Sequence, residues 1–480
     1  LLAAVSAEAR NPSPSSPVAG GPPPADGEFE RQPVPTSHLR RSSDFIGMYA
    51  GEHVAGTEFM IGPLFVARGA RAFDIIVGLL LGNLLAVLSW RFLCTPIATR
   101  ARLTLYFQLE KICGANLVNV YNLANGVMFC FLAGAMVAVS ATAVGVPFGL
   151  PMPGLDDWLP NGPGWIVAVF GVGAVIAIVA ARGYNAVARF SNFAAPWMVV
   201  VFIACGLMTL PALGIHSPAD FWEVARDRMW TGNVQPGQSP LSFWNLVFFA
   251  WFANMAMHVG MADLSIFRFA RRPSAGWASA CGMFVGHYLA WIAAALLYTL
   301  QLQRDPGNTA VAPGPMAYDA AGFAGIVCVL VAGWTTANPT IYRAGLAFQS
   351  LFPRWSRFRV TILAGAVATL GGCFPALVMK LLDFVALYGL ILMPMGAVIF
   401  IDFWIFPRLG LKQYWAESTH SRFNAAAGVA WIATLIVCAA LTLFGGVEIF
   451  FVALPGWFLA AVLYVVAGKV VQRRGQVVST

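Results

Sequence analysis

From residue 44 onward the sequence is a succession of apolar runs, most joined by short loops. A helix needs about 20 mostly apolar residues to cross a bilayer. Twelve runs qualify: 46–66, 73–95, 114–146, 164–182, 190–213, 241–266, 276–301, 318–348, 360–378, 383–406, 424–445 and 449–470, numbered here as spans 1 to 12. Charged residues make up only 10% of the chain, against roughly a quarter in soluble domains, so too few remain to cover a water-facing surface. The expected fold class is all-α, a polytopic membrane protein of twelve transmembrane helices. The 47 glycines and 16 tryptophans fit that class, because glycine lets helices pack closely in lipid and tryptophan anchors the interfaces.

The formal charge of +8 invites a nucleic-acid reading, but the cations sit in short loops between apolar runs. Arg40 and Arg41 precede span 1, Arg100, Arg102 and Lys111 follow span 2, and Arg182 and Arg189 border span 4. The same holds for Arg268, Arg271 and Arg272 after span 6, Arg354, Arg357 and Arg359 after span 8, and Arg408 and Lys412 after span 10. Those loops share one side of a twelve-span chain, and the opposite loops are poorer in Lys and Arg, with 67–72 and 214–240 as mixed exceptions. By the positive-inside rule both termini are expected on the cytoplasmic side. All eight cysteines fall in or beside apolar runs and none forms a C-x-x-C pair, so they read as small buried hydrophobes. The run Leu1–Val5 is too short for a signal peptide, and the Pro-, Ser- and Gly-rich stretch that follows places a disordered tail over 1–43.

A repeat is visible five spans apart. His53-Val54 in span 1 has Glu58 five residues after the histidine, and His258-Val259 in span 6 has Asp263 at the same distance. Gly78-x-x-x-Gly82-Asn83 in span 2 is matched by Gly282-x-x-x-Gly286-His287 in span 7. Five is odd, so the second copy inserts upside down. An inverted repeat places a binding site near the midplane, between the first helices of the two halves. The expected organisation is a first repeat over 44–213, a second over 214–406, and two further helices with a short tail over 407–480.

Three spans carry residues that apolar packing does not need. Span 1 has glycines at 47, 51, 56 and 62, then Pro63, and it holds Glu52, His53 and Glu58. Ionisable groups inside a span are costly and usually line a pathway or pair with each other. An unwound stretch around 51–57 would offer carbonyls to a cation. Span 6 holds Asn254, His258 and Asp263, with Asp263 expected to pair with Arg268. Span 8 holds Thr335 and Thr336. Their hydroxyls either contribute to a cation site or return to the preceding helical turn, and the residues alone do not choose. No H-E-x-x-H or comparable spacing supports a metal centre.

The order of these features resembles the nucleobase:cation symporter-1 family, the permeases for cytosine, purines, uracil, thiamine, allantoin and hydantoins. The likeness is clearest in span 8, WTTANPTIYRAGLAFQ, and extends to LLLGNLLAVLSW in span 2 and ADLSIFRFAR in span 6. It implies a five-plus-five inverted repeat of the LeuT type and a secondary transporter working by alternating access. It implies a sodium site at the hydroxyls of Thr335 and Thr336 with span 1 carbonyls near Glu52 and Ala55. It places the solute near Gly56, Phe129, Ala253, Asn254, Ala256 and Trp334. Two departures stand out. A phenylalanine, Phe129, stands where the family has a ring-stacking tryptophan, and Glu52, His53 and Glu58 stand where the cytosine branch is uncharged.

The expectation is therefore a sodium-coupled symporter of a small polar, nucleobase-like solute, not an enzyme, with no cofactor beyond Na+ or H+. Its partners would be the solute and the lipid bilayer, with no nucleic acid and no obligate protein partner, and its location a bacterial inner membrane. Glu52, His53, Glu58 and His258 are the candidates for proton coupling, through which a different class of solute is the alternative. A solute-binding sensor and an intramembrane metalloenzyme are the other readings.

Overall fold

The computed structural model describes residues 28–151, 153, 157–309, 311–379 and 381–478. Among these the regular structure is helical, with three isolated β-bridges. A lipid-embedded chain must satisfy its backbone internally, which helices do. Among the described residues nine helices are long and apolar enough to cross a membrane, and they correspond to spans 2, 3, 4, 5, 7, 8, 10, 11 and 12. Span 9 is the 16-residue helix Arg357–Gly372. Spans 1 and 6 are helical but interrupted. This is an integral membrane protein.

Span 1 consists of two helices, Ile46–His53 and Glu58–Ala67, and the chain between them leaves helical geometry at Val54, whose ψ is 65°. The carbonyls of 51–54 thereby lose the amide donors they would have one turn on. Gly56 lies in this break, and a Cβ there would stand 2.6 Å from Val139 of span 3. Span 6 runs Phe243–Phe252, Met255–His258 and Leu264–Phe267, interrupted at Ala253-Asn254 and again over 259–263, where Met261 has φ +63°.

The repeat is present in three dimensions. In the first half a short helix, Leu105–Cys113, meets Gly114 at φ 81° and continues as the long helix Ala115–Gly145. In the second half the helix Pro313–Ala321 meets Gly322 at φ 57° and continues as Phe323–Leu351. Both junctions use a backbone region open mainly to glycine. The two G-x-x-x-G pairs exchange partners. Gly78 and Gly82 of span 2 pack on Leu246, Val247 and Ala250 of span 6, while Gly282 and Gly286 of span 7 pack on Tyr49 and His53 of span 1. Each broken helix is therefore cradled by the glycine face of the other repeat.

A Cβ at Gly286 would lie 2.7 Å from the backbone carbonyl of His53, and a backbone cannot swing aside. Gly286→Val is expected to destabilise the detergent-purified protein by about 1–3 kcal/mol, read as a lowered unfolding midpoint. An unchanged midpoint would refute this packing.

One expectation is corrected. Residues 28–43 are not a disordered tail. Phe29 and Val34 are buried, the Val34 amide donates to the Arg102 carbonyl at 3.1 Å, and the Arg40 amide donates to the Phe269 carbonyl at 2.6 Å. Arg31 pairs with Glu110 at 2.6 Å. The composition is polar, but this segment folds against the basic loops, which supply the partners. The rest of the expected tail, 1–27, lies outside the described residues.

Candidate binding site

The two breaks meet at the middle of the bundle, beside a cavity of about 70 Å³. Glu52, His53, Ala55, Thr57 and Glu58 of span 1 line it, with Ala253, Asn254, Ala256 and Met257 of span 6. Span 3 supplies Leu132 and Met136, span 7 His287 and Trp291, span 8 Thr336 and Thr340, and span 10 Tyr388, while Phe249 and Phe450 close one end. The lining is mostly apolar with a few convergent polar groups, the usual character of a small-molecule site.

On one flank span 8 touches the break of span 1. Thr336 Oγ1 donates to the Glu52 carbonyl at 2.8 Å and lies 3.1 Å from the Ala332 carbonyl. Thr335 Oγ1 donates to the same Ala332 carbonyl at 3.0 Å. Two hydroxyls and two carbonyls thus gather where spans 1 and 8 cross. An all-oxygen set of this kind suits a hard cation. Among the described residues no group of three His, Cys, Asp or Glu side chains stands close enough to hold a metal ion.

On the opposite flank Glu58 accepts the Trp291 indole N–H, and its carboxylate is 3.8 Å from His287 Nε2. The His287 ring stacks on Trp291 at 4.4 Å and meets the His53 ring edge-on at 4.9 Å. Asn254 Nδ2 reaches His287 Nε2 at 3.5 Å. Spans 1, 6 and 7 all give polar groups to this corner.

Below the cavity, on the face that carries residues 28–45, the bundle is sealed by charge. Arg343 of span 8 binds both oxygens of Glu52, at 2.5 and 3.2 Å, and Asp263 Oδ1 at 2.7 Å. Asp263 Oδ2 accepts the Tyr49 hydroxyl at 2.5 Å and the Trp90 N–H at 2.7 Å. All are buried. One layer further out, Tyr342 donates to Glu28 at 2.7 Å and Arg268 lies 3.7 Å from the same carboxylate. Asp263 therefore does not pair with Arg268 as the sequence suggested. The turn after Met261 carries Asp263 inward to Arg343 and leaves Arg268 to the N-terminal segment.

No protein-family model matches the chain, and no curated protein matches it. Solved structures do. Mhp1, a nucleobase-cation-symport-1 family transporter, in a closed conformation with bromovinylhydantoin bound, is similar with a TM-score of 0.70 at 16% identity, covering 93% of this chain and 96% of that one. A Na+-coupled sialic acid symporter in a substrate-bound outward-open state gives 0.65 at 14% identity, over 93% and 91%. MhsT in complex with L-phenylalanine gives 0.56 at 16% identity, over 88% and 97%. The chain has the LeuT-type fold.

Within the LeuT-type fold the candidates divide. Glu52, His53, Ala55, Glu58, Ala253, Asn254, Ala256 and Thr336 line the cavity. Thr335 lies just behind Thr336, 3.6 Å from Met198 Sδ of span 5. Phe129 is one ring removed, packed on Tyr388 at 5.2 Å. Trp334 faces Phe190 of span 5, and His258 packs on Trp90 at 4.5 Å with Nε2 on the Trp251 carbonyl. Gly56 serves the crossing of spans 1, 3 and 8. Sequence reasoning passed over Trp291, Tyr388 and Arg343, and took His287 as a landmark of the repeat but not as a solute contact. His287 had a signal, since it stands where the first repeat has Asn83. Asn83 returns its amide to the Leu79 carbonyl, whereas His287 turns to the cavity.

Proposed function

We propose that this chain is a sodium-coupled symporter of a small, polar, nucleobase-like heterocyclic solute, working by alternating access. The observation that carries the reading is the contact of the Thr336 hydroxyl with the Glu52 carbonyl at 2.8 Å, beside the midplane cavity. Sodium would be held by the hydroxyls of Thr335 and Thr336 and the carbonyls of Glu52, Ala55 and Ala332. It would fix the break of span 1 against span 8, and so the cavity wall. The solute would lie against Asn254 and His287, between Trp291, Phe249 and Tyr388. The hydantoin bound to Mhp1, the substrate bound to the sialic acid symporter and the L-phenylalanine bound to MhsT support a small solute. The Arg-rich loops support termini on the cytoplasmic side, and the family resemblance alone supports a bacterial inner membrane.

Proton coupling is the second reading. His53, His287 and Glu58 adjoin one another at the cavity, and histidine changes charge near neutral pH. One experiment separates the two. Unfolding midpoints of the purified protein are measured with nucleobases, hydantoin and allantoin, in sodium or potassium, at two pH values. A heterocycle that raises the midpoint only in sodium supports the first reading. A rise that follows pH and ignores sodium supports the second. A response to amino acids or sugars alone would reject the heterocycle.

A further inference from the structure

We propose that the solute binds as a cation, with its positive charge against Glu58. This rests on the reading of the midplane cavity as the solute site. The argument is one of charge balance in a place where charge is expensive. The ionisable groups around the cavity are Glu52, His53 and Glu58 of span 1, His258 and Asp263 of span 6, His287 of span 7, Arg343 of span 8 and Tyr388 of span 10. Arg343 is shared by Glu52 and Asp263, so one guanidinium already serves two carboxylates. Glu58 is the third carboxylate and only 2% exposed. Among the described residues no Lys or Arg pairs with it, and its partners are the Trp291 N–H, the Thr57 side chain and, at 3.8 Å, His287.

The histidines do not supply the missing charge readily. His53 and His287 are in ring contact, and two adjoining imidazolium ions repel each other. The His258 ring lies across Trp90 with its Nε2 on a backbone carbonyl, away from Glu58. With neutral imidazoles and every carboxylate ionised, the cavity and the seal below it hold three carboxylates and one guanidinium, a surplus of two negative charges. An uncompensated carboxylate in a membrane interior is unfavourable. Sodium at the Thr336–Glu52 crossing offsets one of them. Glu58 stands across the break of span 1 from that crossing, on the helix that begins there, and faces the cavity directly. The second positive charge belongs in the cavity itself. The walls suit it, because Trp291, Phe249, Phe450 and Tyr388 present aromatic rings, whose faces attract cations.

The test uses matched pairs that differ in charge and little in shape: 1-methylnicotinamide against nicotinamide, and tetramethylammonium against neopentane-sized neutral alcohols such as tert-butanol. Each is titrated against the full-length purified protein in sodium, with the unfolding midpoint and competition for transport as readouts. At least one cation is expected to bind roughly tenfold or more tightly than its neutral partner, the advantage of a charge-assisted contact. Glu58→Gln should bring that ratio close to one, and Glu58→Asp should keep part of it. Glu58→Gln retains the acceptor for Trp291, and Glu58→Asp is the check should it fold poorly. Equal binding within each pair, a preference that survives Glu58→Gln, or no response to any cation would each overturn the proposal. If neutral heterocycles bind as well as charged ones, the proposal fails and the heterocycle reading stands. If only the non-heterocyclic cation binds, the heterocycle reading fails and the proposal stands.

Discussion

Replacing Arg343 with methionine is expected to cost about 3–5 kcal/mol of stability, the usual penalty for removing one partner of a buried charge pair. The side chain is 1% exposed and makes three short contacts to two carboxylates from spans 1 and 6. Methionine leaves Glu52 and Asp263 buried without a cation. The two will not suffer equally. Asp263 keeps the Tyr49 hydroxyl and the Trp90 N–H, while the Glu52 carboxylate has Arg343 as its hydrogen-bond donor. Adding Glu52→Gln should therefore recover more than adding Asp263→Asn, and the triple change should approach wild type, since well-packed neutral groups often replace a buried ion cluster without loss. Unfolding midpoints of the four variants and the wild type check this. An Arg343→Met midpoint equal to wild type would mean that the cluster does not hold spans 1, 6 and 8 together.

That cluster also shows what the sequence could convey. Span count, the inverted repeat and the unwinding of span 1 were legible because each leaves a local or periodic mark: apolar length, repeated spacing, glycine and proline inside a span. Glu52, Glu58 and Asp263 were conspicuous because charge is rare in a span. Their partners were not, because pairing is a property of helix rotation across the bundle. Arg268 follows Asp263 by one helical turn and a half and looked like its mate, yet the backbone at Met261 has φ +63° and turns Asp263 away. Arg343 sits in the very segment that carried the family resemblance, eight residues after Thr335, and looked like part of a motif. Phe129 was carried over from the family resemblance, but Tyr388 of span 10 stands between it and the cavity. The N-terminal segment misled for the opposite reason. Its composition is that of a tail, and its order comes from partners far away in sequence, such as Arg268 on the Phe29 carbonyl at 2.8 Å.

Deleting the hydroxyls of span 8 is expected to remove the response to sodium altogether. A ligand present at about 100 times its dissociation constant stabilises the fold by roughly 2.7 kcal/mol, and that increment should vanish in the double variant Thr335→Ala/Thr336→Ala. The single changes should rank. Thr336 Oγ1 reaches across to the Glu52 carbonyl and faces the cavity, whereas Thr335 Oγ1 bonds only within its own helix and to Met198. Thr336→Val keeps the branched shape and removes the oxygen, so it should lose most of the sodium effect, with Thr335→Val losing less. Sodium and solute affinities are linked by one coupling factor, so whatever factor the variants take from sodium's effect on the solute they must take equally from the solute's effect on sodium. The solute titration in sodium and in potassium measures the first, and the sodium titration with and without solute measures the second. Undiminished sodium stabilisation of the double variant would place the cation elsewhere and reduce the contact of Thr336 with Glu52 to helix packing.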